Sequence, residues 1–233
     1  MFSPYHKMAH CQRLQRTISD FHENGNISEL IFGQHKRYHY SLLHKLKSAK
    51  KHLENLQDVL ENTEVSAVVG NSNDFINEVN MHIDSFFYCC GSAMDILARE
   101  VLIYYNIPLP DRVYFRTART QINKNRPGDA ILPRLQDPTW EKEFKDYRNS
   151  LTHEVLIGTN FNISVNADGG RSQTVIVYPL PDNPRANIEA RTFRTNPNAF
   201  DYCKTTFTRL LTLINKIYGE INTRATHNGS FPI

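Results

Sequence analysis

Residues 75–101 read FINEVNMHIDSFFYCCGSAMDILAREV. Phe75, Val79, Ile83, Phe86, Cys90, Ala93, Leu97 and Val101 recur at steps of three and four, which lines one face of a long helix with apolar side chains. No proline interrupts the run. A stripe of this length is buried best by other helices lying lengthwise against it. Two further segments supply the same rhythm: Leu42, Leu46, Ala49, Leu53, Leu56 and Leu60, and later Phe200, Cys203, Phe207, Leu210, Ile214, Ile217 and Ile221. Three such helices predict an all-α fold, an up-and-down helical bundle.

The punctuation agrees with this division. Ser72-Asn73-Asp74 offers helix caps before residue 75, and Asn106-Ile107-Pro108-Leu109-Pro110 stops the helix. A shorter helix is expected over Tyr114–Asn123. Another is expected from Pro138-Thr139-Trp140 to Gly158, with Trp140, Phe144, Tyr147 and Leu151 facing the core. Asn196-Pro197-Asn198 introduces the last helix. Between these two helices the period changes. Phe161, Ile163 and Val165 alternate with polar residues, Asp168-Gly169-Gly170 follows, and then Thr174–Tyr178. That pattern predicts a β-hairpin inserted over residues 159–180, before the final helix. The whole chain, 1–233, reads as a single helical domain with an N-terminal extension over 1–26 and a mobile tail over 225–233.

A formal net charge of +3 over 233 residues is too small to imply a broad polyanion-gripping surface. No segment approaches the roughly eighteen apolar residues of a membrane span. The N-terminal MFSPYHKMAHCQRLQRT has no continuous apolar segment of the kind a secretory signal needs. The four cysteines fit no metal spacing and read as small core residues in a reducing, cytoplasmic setting.

Several polar groups invite a chemical reading. Lys36, Arg37, Lys45, Lys47, Lys50 and Lys51 form either a phosphate-binding surface or a solvated helix face, and Glu54, Asp58 and Glu61 beside them favour the second. His35 and His39 are one helical turn apart, as metal-binding pairs are. No Glu, Asp or Cys nearby in sequence completes a ligand set, so they read as surface histidines, and neither a metal nor a cofactor is expected. Asp95 and Glu100 also read as surface acids, the alternative being an inward turn toward an arginine such as Arg148.

Arg148-Asn149-Ser150-Leu151-Thr152-His153 is the remaining constellation. Asn149 and His153 are four apart and share a helix face, whereas Arg148 is about 140° around the axis from His153. Histidine exchanges protons near neutral pH, arginine grips a phosphate with two parallel bonds, and asparagine orients a hydroxyl or an imidazole. Together they suffice for RNA cleavage in which the ribose 2′-hydroxyl attacks the adjacent phosphate.

The motif, its place on a late helix and the long apolar helix after it resemble the HEPN superfamily. That signature is an arginine, a polar residue, and a histidine four to six residues after the arginine. The resemblance covers about 75–224. It implies a HEPN-like bundle in which the motif helices of a homodimer face each other. It also implies metal-independent endoribonuclease activity in toxin–antitoxin, phage-defence or RNA-processing systems, with Arg148, Asn149 and His153 as catalytic residues. RNA or a nucleotide, and an antitoxin or other protein, are the partners it implies. A non-catalytic HEPN-like module that binds a nucleotide or protein, and an all-α scaffold with an accidental motif, are the alternative readings.

Overall fold

The structure, a computed structural model, describes residues 8–63, 70–136, 140–153, 161–168, 171–195, 197–229 and 231. The helices are α1 (Ala9–Glu23), α2 (Glu29–Asn62), α3 (Ser72–Tyr104), α4 (Phe115–Asn125), α5 (Glu141–His153) and α6 (Ala199–Asn228). Strands β1 (Asn162–Asp168) and β2 (Arg171–Val177) stand between α5 and α6. The protein is therefore mostly helical with one small antiparallel sheet, as the periodicities predict. Among the described residues no helix is long and apolar enough to cross a membrane.

The predicted stripes are the buried faces. All eight stripe residues of α3 are buried, as are Leu42, Leu46, Ala49, Leu56 and Leu60 of α2 and the α6 series from Cys203 to Ile221. α3 stops where expected. Asn106 takes a left-handed conformation (φ 52°), Asn106 N–H donates to Ile103 O, and Ile107 N–H donates to Leu102 O. These bonds close off carbonyls that the ending helix would leave bare. At the start of α6 the Asn198 side chain accepts from Phe200 N–H at 3.1 Å, capping the first turn. In the sheet, Asn162 pairs with Val177 and Asp168 with Arg171, so residues 169 and 170 alone connect the strands. Those two residues, like Gly158, lie outside the described residues.

The fold divides into two compact units. Unit 1 comprises residues 1–46, 92–141 and 208–233, and unit 2 comprises residues 47–91 and 142–207. In unit 1, part of the expected N-terminal extension is the helix α1, whose Cys11, Leu14 and Ile18 are buried. It is fastened to α6 by His10 N–H donating to Asn215 Oδ1 (3.0 Å) and Thr17 Oγ1 donating to Asn222 Oδ1 (2.8 Å). Within the expected tail, Phe231 is buried against Phe21 and Tyr104, at centroid separations of 6.3 and 5.3 Å. That packing takes the Phe231 ring out of water. In unit 2, Phe87 of α3 gathers Phe144, Tyr147 and Tyr202 around it.

Candidate functional site

The sequence Arg148–His153 forms the second half of α5. Phe144 and Tyr147, three apart and both buried, anchor the helix on α3, where Phe87 stacks on Phe144 at 5.4 Å and tilts over Tyr147 at 5.8 Å. Gly91 lies one turn beyond Phe87 on the same face of α3. Bare backbone there leaves room that the Arg148 side chain fills. A Cβ at position 91 would come within 2.5 Å of Arg148 Nε and 2.8 Å of its Cδ and Cζ. The aromatic contacts thus fix the approach of α5, and the missing side chain at 91 lets the arginine lie between the helices.

The connection after the hairpin braces α5 as well. Tyr147 Oη donates to Pro181 O at 2.7 Å, and Arg191 Nη2 donates to the buried Ser150 Oγ at 2.9 Å. Arg185 Nη1 stands 3.6 Å from Asp146 Oδ1. Successive residues therefore have different environments: Tyr147 is in the core, Arg148 is half-buried over Gly91, Asn149 is exposed and Ser150 is tied to Arg191. His153 is the last residue of α5, one turn after Asn149, and its side chain lies outside the described residues.

A second constellation, in unit 1, corrects two of the expectations above. His35 and His39 are buried, at 2% exposure each, and Glu100 is fully buried. They are neither surface histidines nor a surface acid, and Glu100 meets the histidines. Glu100 Oε1 lies 3.2 Å from His35 Nδ1 and 3.4 Å from His39 Nδ1. Tyr104 Oη donates to Glu100 Oε1 at 2.8 Å, and Tyr218 Oη donates to Oε2 at 2.6 Å. Cys11 Sγ is 3.5 Å from His39 Nε2. The carboxylate missing from the local sequence comes from another helix, which sequence proximity could not show. Burial opposes ionisation of Glu100, but hydrogen bonds from His35 and His39, with their charges, outweigh it and bring its pKa down to about 2. Burial, reinforced by the Glu100 charge, pushes the Cys11 thiol up to about 12 and raises the Tyr104 and Tyr218 phenols.

No family model, curated protein or solved structure gives a significant match to the chain.

The other candidates take simpler places. All four cysteines are free and buried, as small core residues should be. On α2, Lys47 and Lys51 are exposed and Lys50 pairs with Glu54 at 3.0 Å, the arrangement of a solvated helix face. His52 and His82 bring their Nδ1 atoms within 3.2 Å of each other in unit 2, and burial lowers both pKa values, helped at His52 by the charge of His82 and opposed at His82 by the Glu78 carboxylate. Neither histidine carried a signal in the sequence beyond being a polar residue on an amphipathic helix.

Proposed function

We propose that the chain is a metal-independent endoribonuclease of HEPN type, working as a homodimer on RNA in the cytoplasm, within a toxin–antitoxin or phage-defence system. The observation that carries this reading is the setting of RNSLTH on α5. Arg148 is lodged over Gly91 with its stem held between two helices, while the neighbouring Asn149 is open to solvent. A guanidinium on a braced stem keeps its direction, and direction is what gripping a phosphate in two parallel bonds requires. The exposed amide beside it is free to meet a ribose.

In this reading Arg148 binds the scissile phosphate and stabilises the added charge of the phosphorane. His153 transfers the proton of the 2′-hydroxyl or of the leaving 5′-oxygen, and Asn149 orients. Arg148 and His153 diverge on one helix, so two copies of α5 across a two-fold axis supply what one cannot. The products are a 2′,3′-cyclic phosphate and a 5′-hydroxyl.

End-group analysis of RNA incubated with the full chain in excess EDTA tests this. Cyclic-phosphate ends are expected from the wild type. His153→Ala should slow turnover by about 10²–10⁴-fold, the usual worth of general acid–base catalysis. Arg148→Ala should lose substrate binding as well, and Asn149→Ala should lose less. Cleavage that survives both His153→Ala and Arg148→Ala refutes the mechanism. A folded dimer that binds RNA without cutting it transfers the reading to a non-catalytic HEPN-like module.

A further inference from the structure

We propose that His35, His39 and Glu100 bind one divalent transition-metal ion of the zinc, cobalt or nickel class, a site internal to unit 1 and independent of the ribonuclease reading. Three donors from two helices converge there, and all are buried. Their donor atoms all lie within 4.8 Å of one another, and the two imidazole-to-carboxylate separations are 3.2 and 3.4 Å. A tetrahedral ion with bonds of about 2.0–2.1 Å holds its donors about 3.3–3.4 Å apart, so both separations are edges of such a coordination shell. Two imidazoles and one carboxylate select this class of ion over calcium or magnesium, which prefer oxygen donors throughout.

The groups around the donors fit the same role. Tyr104 and Tyr218 donate to one carboxylate oxygen each, their hydroxyls standing 2.8 Å from His35 Nδ1 and 3.3 Å from His39 Nδ1, and Cys11 meets the outer nitrogen of His39, so the carboxylate and that ring are held in place. A dication held by these three side chains would fasten α2 to α3 inside unit 1, which is a structural role.

Because the site is closed to solvent, the ion enters as the chain folds. The full chain is unfolded in denaturant with a chelator, freed of both, and refolded with or without one equivalent of Co²⁺. Metal content of the natively purified chain is measured in parallel by mass spectrometry. One ion per chain is expected, with the visible absorption bands of tetrahedral cobalt, bleached by Zn²⁺, and a higher thermal midpoint than the metal-free preparation. His39→Ala and Glu100→Gln should lose the bands. Tyr218→Phe, which keeps all three donors, should bind about 10–100-fold more weakly. Should the ligand variants fail to fold, the wild-type spectrum and Tyr218→Phe decide the matter. Folded wild type with neither bands nor bound metal overturns the proposal, as does cobalt binding unchanged in His39→Ala or Glu100→Gln. None of these readouts depends on RNA cleavage.

Discussion

Gly91→Ala separates the position of Arg148 from the stability of the fold. The new Cβ would stand 2.5 Å from Nε and 2.8 Å from Cδ and Cζ of Arg148. Comfortable contacts begin at about 3.5 Å, so the overlap is near 1 Å. Because it involves three consecutive atoms, turning the guanidinium tip cannot relieve it, and the whole stem must swing away from α3. Re-seating a side chain off its preferred rotamer costs about 0.5–1.5 kcal/mol. Alanine in place of glycine inside a helix returns about 1 kcal/mol. The two nearly cancel, so the melting temperature should stay within about 4 °C of the wild type. Catalysis has no such compensation, since a displacement of about 1 Å in a positioning group costs about 10²-fold. Cleavage of a defined RNA, measured as kcat/KM beside a thermal melt, should therefore show a loss of about 10² with little change in stability. Wild-type kcat/KM in a folded Gly91→Ala protein would show that Arg148 owes nothing to the bare backbone at 91. A drop in melting temperature of more than about 8 °C would show that the arginine cannot leave its place.

Three further outcomes follow from the geometry. Burial pushes the Asp84 carboxyl up to about 6, and its Oδ1 has no hydrogen-bond partner among the described residues. Its folded pKa exceeds the unfolded value, so stability should fall as pH rises from about 4 through 6. Asp84→Asn should remove that slope and stabilise the protein at pH 7 by about 1–2 kcal/mol, after allowance for partial solvent contact; equal denaturation midpoints for the two proteins at pH 7 would contradict this. Reversing Lys47, Lys50 and Lys51 to Glu should leave the salt dependence of RNA binding nearly unchanged, because α2 there is a solvated face; a slope flatter by about 2 would make it an RNA-guiding surface. Asn106→Val should cost about 1–2 kcal/mol in thermal melts, since a β-branched residue resists the left-handed conformation, whereas Asn106→Gly should not.

The architecture was legible because three stripes are long and uninterrupted, and Asn106 and Asn198 mark helix ends by chemistry that needs no tertiary partner. α1 was harder to read, since its buried face is only Cys11, Leu14 and Ile18, too short a run to stand out from chance. For the buried histidines a signal was present. Stepping back from Leu42 by three and then four arrives at His39 and His35, so both continue the apolar line of α2. Glu100 likewise lies three beyond Leu97 and seven beyond Ala93, on the core side of α3. Residue type argued for the surface and periodicity for the interior, and periodicity prevailed because Glu100 meets both histidines and two tyrosine hydroxyls there. Arg148 was visible as a chemical group, but its seat over Gly91 depends on how α5 approaches α3, which no local pattern encodes.

The division of the chain into two units has a consequence for how the protein is made. Unit 2 is complete once residue 207 has been synthesised, whereas unit 1 needs residues 208–233 as well as the first 46. A ribosome adding about 5–20 residues per second therefore presents α1 to the cell long before its partners on α6 exist. His10 and Asn215, like Thr17 and Asn222, are separated by 205 positions. Until Asn215 and Asn222 emerge, His10 and Thr17 lack those partners. The fastening of α1 must therefore wait for α6, some two hundred residues later in synthesis.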